Sequence, residues 1–443
     1  MEAPSNRMPA PLCHQRLVSR IAMGRFSMIG SCMLTFADFC ADYFRQYFEL
    51  HPGDAIHYGI EGFDHLLQNY DDEAYETERA FARESLKKLR QVSVLALTKD
   101  ETMDYALLEG RLTIANYEFN KEDYRLKWPE IYLPISDIYI LTVRPTNDIG
   151  GNITSRLEQF PNIVNQGIAN LSRAEANPPR LWTDMALEAA KGALGFLSGL
   201  PDHPRISGAL SNNERFHAAL ERAQQAVENL REFFSRDLLT RSQGSYAVGK
   251  EHYHLLLKKK HFLAHDAESL LVLGERLFAE TKSELTALAE TISPGKTIEA
   301  VARAIQDNHP SPGGLLPAYQ KAMENARAFV HEQKLVSFPT REELRVVQTP
   351  EFRRHEIPFA AYLSPSPRDP DQIGYYYVTP ATDEELLREH NWTGMENTSV
   401  HESFPGHHLQ FTVANSRPEA CTLPRLMNES SVFYEGGRCT ASS

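Results

Sequence analysis

Apolar residues recurring three and four positions apart narrow the possible folds of this chain more than any other feature. Phe216, Leu220, Ala223, Val227, Leu230 and Phe234 follow one another in steps of four and three, laying a single apolar stripe along a helix of several turns. The same texture runs from Phe36 to Phe48, through 72–117 and 154–176, and through 266–292 by way of Leu270, Leu273, Leu277 and Leu288. Such stripes predict core-facing helices, because an amphipathic helix buries one face against its neighbours. His51-Pro52-Gly53 ends the first helix, since proline disfavours helical geometry in the residue before it, and Ser293-Pro294-Gly295 punctuates the last. Thr340 to Glu343 reads as a Thr-x-x-Glu capping box at a further helix start. The texture changes between about 344 and 379, where Leu344-Arg345-Val346-Val347 and Tyr375-Tyr376-Tyr377-Val378 favour strands on either side of the proline-rich Ser364 to Asp371. A small β-sheet is expected there, in a chain that is otherwise mainly α.

A length of 443 residues allows two to three ordinary domains, or one large helical enzyme built in two lobes around a cleft. With 42% hydrophobic and 24% charged residues the chain has ordinary globular composition. Its net charge of -13 opposes binding to nucleic acid, whose phosphates are neutralised by Lys and Arg. Small molecules or peptides are the expected partners. Cys13, Cys32, Cys40, Cys421 and Cys439 are scattered and form no Cys-x-x-Cys pair, so a reducing, cytoplasmic setting is expected rather than a disulfide framework. No apolar run approaches the roughly 18 residues that a membrane span requires. Residues 1–33 read as a disordered leader. They carry Arg7, Arg16, Arg20 and Arg25 against Glu2 alone, a composition shared with organelle transit peptides.

The chemistry concentrates in Val400-His401-Glu402-Ser403-Phe404-Pro405-Gly406-His407-His408-Leu409-Gln410. Zinc in a hydrolase takes about three protein ligands from His and Asp or Glu, and a neighbouring carboxylate serves as base. In the His-Glu-x-x-His helix the histidines stand four residues apart and so share a face. Here that position is Pro405, and the next histidines come six and seven residues after His401. On a regular helix a step of six leaves side chains about 120° apart, and a step of seven leaves them about 10.5 Å apart along the axis. Neither pair reaches one ion unless a bulge or kink at Pro405-Gly406 absorbs the extra residues. Spacing alone leaves open a solvated helix start with no metal.

His401 to Gln410 resembles the His-Glu-x-x-Pro-Gly-His-His-Leu-Gln signature of the proteins grouped as domain of unknown function 885 (DUF885), which look like zincin-type metallopeptidases. Glu49-Leu50-His51-Pro52, Val248-Gly249-Lys250 with Tyr253, and Gly374-Tyr375-Tyr376-Tyr377-Val378 are similar to further segments of that family, so the likeness runs over 34–437. It implies a helical, gluzincin-type fold with the small sheet next to the metal helix. His401 and His407 are the implied zinc ligands, and His408 lies behind them or faces substrate. Glu435-Gly436 matches the family's Glu-Gly-Trp-Ala segment and makes Glu435 the third ligand, with Glu429 its nearby competitor. After that pair the chain departs from the family pattern with Gly437 and an atypical tail at 438–443, which reads as a C-terminally truncated relative.

The expected function is therefore zinc-dependent hydrolysis of peptides, with Glu402 as general base. Tyr376 is the expected donor to the oxyanion, and Tyr375, Tyr377 and His408 are expected to touch substrate. The tyrosine run also fits a sheet that packs alternate rings inward. The alternative function is a catalytically impaired scaffold that binds peptide or metal. His252, His254, His261 and His265 form a second histidine group, read as a solvated helix face because Lys258, Lys259 and Lys260 adjoin it.

Overall fold

The computed structural model describes residues 34–417 and 421–442. The leader at 1–33 lies outside the described residues. The architecture is mainly helical, with one three-stranded sheet. Each predicted stripe forms a helix: Phe36–Leu50, Asp72–Leu89, Lys99–Lys121, Ile149–Leu171, Glu214–Phe233 and Ala267–Ile292. The first helix stops at Leu50, and Pro52 starts a new one, Pro52–His57, from a position where its missing amide leaves no bond unmade. Thr98 and Glu101 close a capping box at the start of Lys99–Lys121.

Three apolar clusters hold these elements. The largest gathers Phe216, Leu220, Ala223, Val227, Leu230 and Phe234 with Ile153, Leu157 and Phe160 of the neighbouring helix. A second joins the aromatic face of Phe36–Leu50 to Leu108, Leu112 and Met427. The third packs Tyr319, Met323 and Val330 of the helix Leu315–Glu332 against the sheet, Met395, Phe404 and Leu409. Each large side chain fully buried in this way stabilises the fold by about 1.5–3 kcal/mol before entropy is counted.

The sheet comprises β1 (Glu343–Gln348), β2 (Ala360–Leu363) and β3 (Ile373–Val378), in the order β1-β3-β2. Central β3 runs parallel to β1 and antiparallel to β2, with Val346 and Tyr362 flanking Tyr376 in register. Side chains alternate between faces along a strand. Gly374 and Tyr376 therefore face one way, and Tyr375 and Tyr377 the other.

Two local expectations fail. Thr340 to Glu343 caps no helix, because Glu343 already begins β1; the β-branched pair Val346-Val347 and pairing with β3 prevail over the capping pattern. Ala267–Ile292 forms a helix, but Leu277 and Leu288 are exposed, as are Val272 and Phe278. Periodicity forms a helix without guaranteeing that described neighbours cover it.

Candidate metal centre

His401 and Glu402 end the helix Trp392–Glu402, which Asn391 caps by accepting from the Gly394 amide. The chain then leaves helical geometry at Ser403, passes a cis Phe404-Pro405 bond, and starts the helix His407–Asn415. The expected bulge is thus a full break between two short helices. Gly406 makes the break tight: its amide donates to the Val400 carbonyl at 3.1 Å, and a Cβ there would stand 2.0 Å from the His401 carbonyl oxygen. Only a residue without a side chain lets the second helix start against the last turn of the first.

The break brings together groups that a continuous helix would separate. One ligand atom each from His401, Glu402 and His407 lies within 4.8 Å of the others. The two imidazoles meet nearly edge to face, with ring centres 5.5 Å apart. Glu435 arrives on the helix Ser431–Ser442, its Oε2 3.9 Å from His401 Nε2, and the Glu402 carboxylate stands 4.0 Å from the same nitrogen. Tyr434 holds that helix in place by packing its ring on Phe411, at 5.0 Å. Phe433 is exposed and does not share this role. Glu429 instead accepts from the Tyr58 hydroxyl at 3.4 Å.

His408 is fully buried behind the cluster. Its Nε2 meets Glu342 at 2.9 Å and its Nδ1 meets the Tyr362 hydroxyl at 3.1 Å. The consistent assignment has Nε2–H donating to the carboxylate and Nδ1 accepting from the phenol. Arg327 donates to Glu342 through Nε at 3.0 Å, and its guanidinium lies over the Phe404 ring. Burial alone would raise the Glu342 carboxyl, but hydrogen bonds from His408 and Arg327 outweigh it and hold the group below its ordinary range. This chain of contacts fixes the helix that carries His407.

The tyrosine run also requires correction. Tyr376 is fully buried, its ring edge-on to Tyr319 and its hydroxyl 3.3 Å from Ser399 Oγ, so it is not placed to meet an oxyanion. Tyr377 is buried on the opposite face, where it shares a 2.7 Å hydrogen bond with Tyr139, and Tyr375 donates to the Val143 carbonyl. The run packs alternate rings inward on both faces of the sheet. The tyrosine beside the cluster is Tyr362 of β2, whose ring stacks on His407 at 6.0 Å. Burial, reinforced by the charges of Glu402 and Glu342 and opposed by Arg144, keeps its phenol protonated. Only the register of β2 on β3 reveals it: Tyr362 pairs with Tyr376, and Gly374, two residues before Tyr376 on the same face, leaves room for both Tyr362 and His408.

The second histidine group is dispersed. His252 is buried against Tyr117 rather than solvated, His254 accepts from the Ala267 amide, and His261 and His265 fall beyond the end of the helix Lys250–Lys259.

Residues 52–436 match the family described as bacterial protein of unknown function, DUF885. The chain belongs to the DUF885 family. No curated protein matches it. This DUF885 chain superposes on a solved chain described as "a putative lipoprotein of unknown function from Shewanella oneidensis", with a TM-score of 0.67 at 20% identity. The superposition covers 92% of the DUF885 chain and 77% of the other, and at that identity it shows the fold alone. Among the described residues no helix is long and apolar enough to cross a membrane.

Proposed function

We propose that this DUF885 chain is a zinc-dependent peptidase. The carrying observation is the convergence of His401, Glu402 and His407 across a helix break, with Glu435 delivered by a separate helix. Two imidazoles and one carboxylate are the donor set of many hydrolytic zinc sites, and ligand bonds of about 2.0–2.1 Å put neighbouring donor atoms about 3.4 Å apart. The 3.9 Å between His401 and Glu435 closes to that value with a small side-chain adjustment. His401, His407 and Glu435 would hold the ion.

When bound, zinc supplies an acidified water and polarises the scissile carbonyl. Glu402, at the C-terminal end of its helix, would accept a proton from the attacking water and return it to the departing amine. Tyr362 keeps its phenolic proton and turns the His407 face of the site toward a neutral wall. His408 acts through position, tying the His407 helix to Glu342.

The zincin-like reading of the fold, with two lobes around a substrate cleft, belongs to this proposal, as does the cytoplasmic setting inferred from the cysteine pattern. The lipoprotein description is said of the S. oneidensis chain.

Zinc titration of single variants tests the ligand set. His407→Ala and Glu435→Gln are expected to weaken zinc binding by about tenfold to a hundredfold or more, the size seen when a zinc site loses supporting groups. Glu429→Gln should leave it unchanged. Unaltered affinity in Glu435→Gln, or a loss in Glu429→Gln, would reassign the third ligand.

A further inference from the structure

A second set of ligating side chains meets on the face of the sheet turned away from His408. Glu130 comes from the 3-10 turn Pro129–Tyr132, while His355 and Glu356 follow the turn Glu351–Arg353. Phe352 in the latter turn packs on Tyr139, the partner of Tyr377, which puts this cluster on the far side of β3 from the His401 centre. One ligand atom from each of Glu130, His355 and Glu356 lies within 4.8 Å of the others. His355 Nε2 faces both carboxylates, 4.0 Å from Glu130 Oε1 and 3.8 Å from Glu356 Oε1.

The imidazole is the informative member. Its side chain is only 10% exposed, and both ring nitrogens are sealed from solvent without a hydrogen bond. The two carboxylates come from separate segments of the chain, and their side chains are partly exposed. Arg353 pairs with Glu356 through Oε2 at 3.3 Å, which leaves Oε1 turned to His355. A buried imidazole aimed between two carboxylates is an arrangement that a divalent cation satisfies.

We propose that Glu130, His355 and Glu356 form a second divalent-cation site, structural in role, which fastens the Pro129–Tyr132 turn to the segment after Glu351–Arg353. One nitrogen and two oxygen donors suit zinc and its transition-metal neighbours rather than calcium or magnesium, which take oxygen throughout. The helix Arg180–Gly199 packs against this turn, and its Glu188 adds to the negative potential at His355. The site shares no ligand with the His401 centre and stands independently of the peptidase reading.

The test uses the full chain, stripped with chelator, reloaded with zinc and freed of excess, with zinc measured per protein and folding followed by circular dichroism. A His401→Ala/His407→Ala variant should retain about one equivalent, and adding His355→Ala, or separately Glu130→Gln, should remove it. Zinc should also raise the Tm of the double variant, and the rise should vanish with the added change. A folded double variant that holds no zinc, or that keeps its zinc after both added changes, overturns the proposal. Should the double variant fail to fold, His355→Ala in the wild-type background decides instead. Loss of one equivalent supports the site, and unchanged stoichiometry overturns it. If only the His401 centre fails, wild type and double variant bind the same single equivalent, and His355→Ala still removes it.

Discussion

His408 and His407 are adjacent in sequence yet serve opposite ends of the site, and the difference lies in what their rings touch. The His408 ring is enclosed by Glu342, Tyr362 and Phe404, whereas the His407 ring meets His401. Replacing His408 with Ala leaves a buried carboxylate with Arg327 as its remaining partner and opens a cavity, so a loss of about 2–4 kcal/mol is expected in denaturant unfolding. The same network gives a pH signature. The folded Glu342 carboxyl is depressed below its ordinary 4.5, so its stabilising contribution is present above that value and lost as pH falls through the folded value. The Tm of wild type should therefore drop more steeply below about pH 4.5 than that of Glu342→Gln, and parallel curves would remove Glu342 from this role. At this scale the residues that converge, His401, Glu402 and His407, were legible in the motif. Tyr362 and Glu342 were not, because each becomes significant only through a neighbour far along the chain.

Between the two short helices the deciding residue is Gly406. A methyl group there would meet the His401 carbonyl oxygen at 2.0 Å, so Gly406→Ala must push the His407 helix away from the His401 helix. Overpacking of this kind costs about 1–3 kcal/mol, and it acts on the distance between His401 and His407. The expected outcome is a lowered Tm together with at least a tenfold loss of zinc affinity; a variant that keeps wild-type affinity would show that the close approach is not what forms the site. Gly374→Ala, whose added carbon would stand 2.8 Å from His408 Nδ1, should lower both quantities in the same way through the other flank. Helices such as Glu214–Phe233 were readable because a period of 3.6 is written locally. The break was readable only as a need for one, since regular spacing could not bring His401 and His407 together. Strand β2, four residues long between prolines, carries no periodic signal of its own. The faces of the tyrosine run followed from alternation, but which face met the His408 helix depended on pairing between β1 and β3.

For the molecule as a whole, the core is uneven. Leu230 is fully buried in the largest cluster, while Leu277 of the helix Ala267–Ile292 is 47% exposed. Leu230→Ala should lower stability by about 2–5 kcal/mol and Leu277→Ala by about 0.5 kcal/mol or less, as read from denaturant midpoints. Equal losses would mean that the long helix is covered in solution. The sheet is set between the His401 cluster on one face and the Glu130, His355 and Glu356 cluster on the other, so three strands separate the two clusters of this mainly helical DUF885 chain. The most direct test is hydrolysis of a mixed peptide library by zinc-loaded wild type and by Glu402→Gln, with the zinc content of each measured. The variant should keep its zinc and cut at least about a hundredfold more slowly, the lower range for loss of a general base. Cleavage at the wild-type rate by Glu402→Gln, or no cleavage by zinc-loaded wild type, would contradict the account.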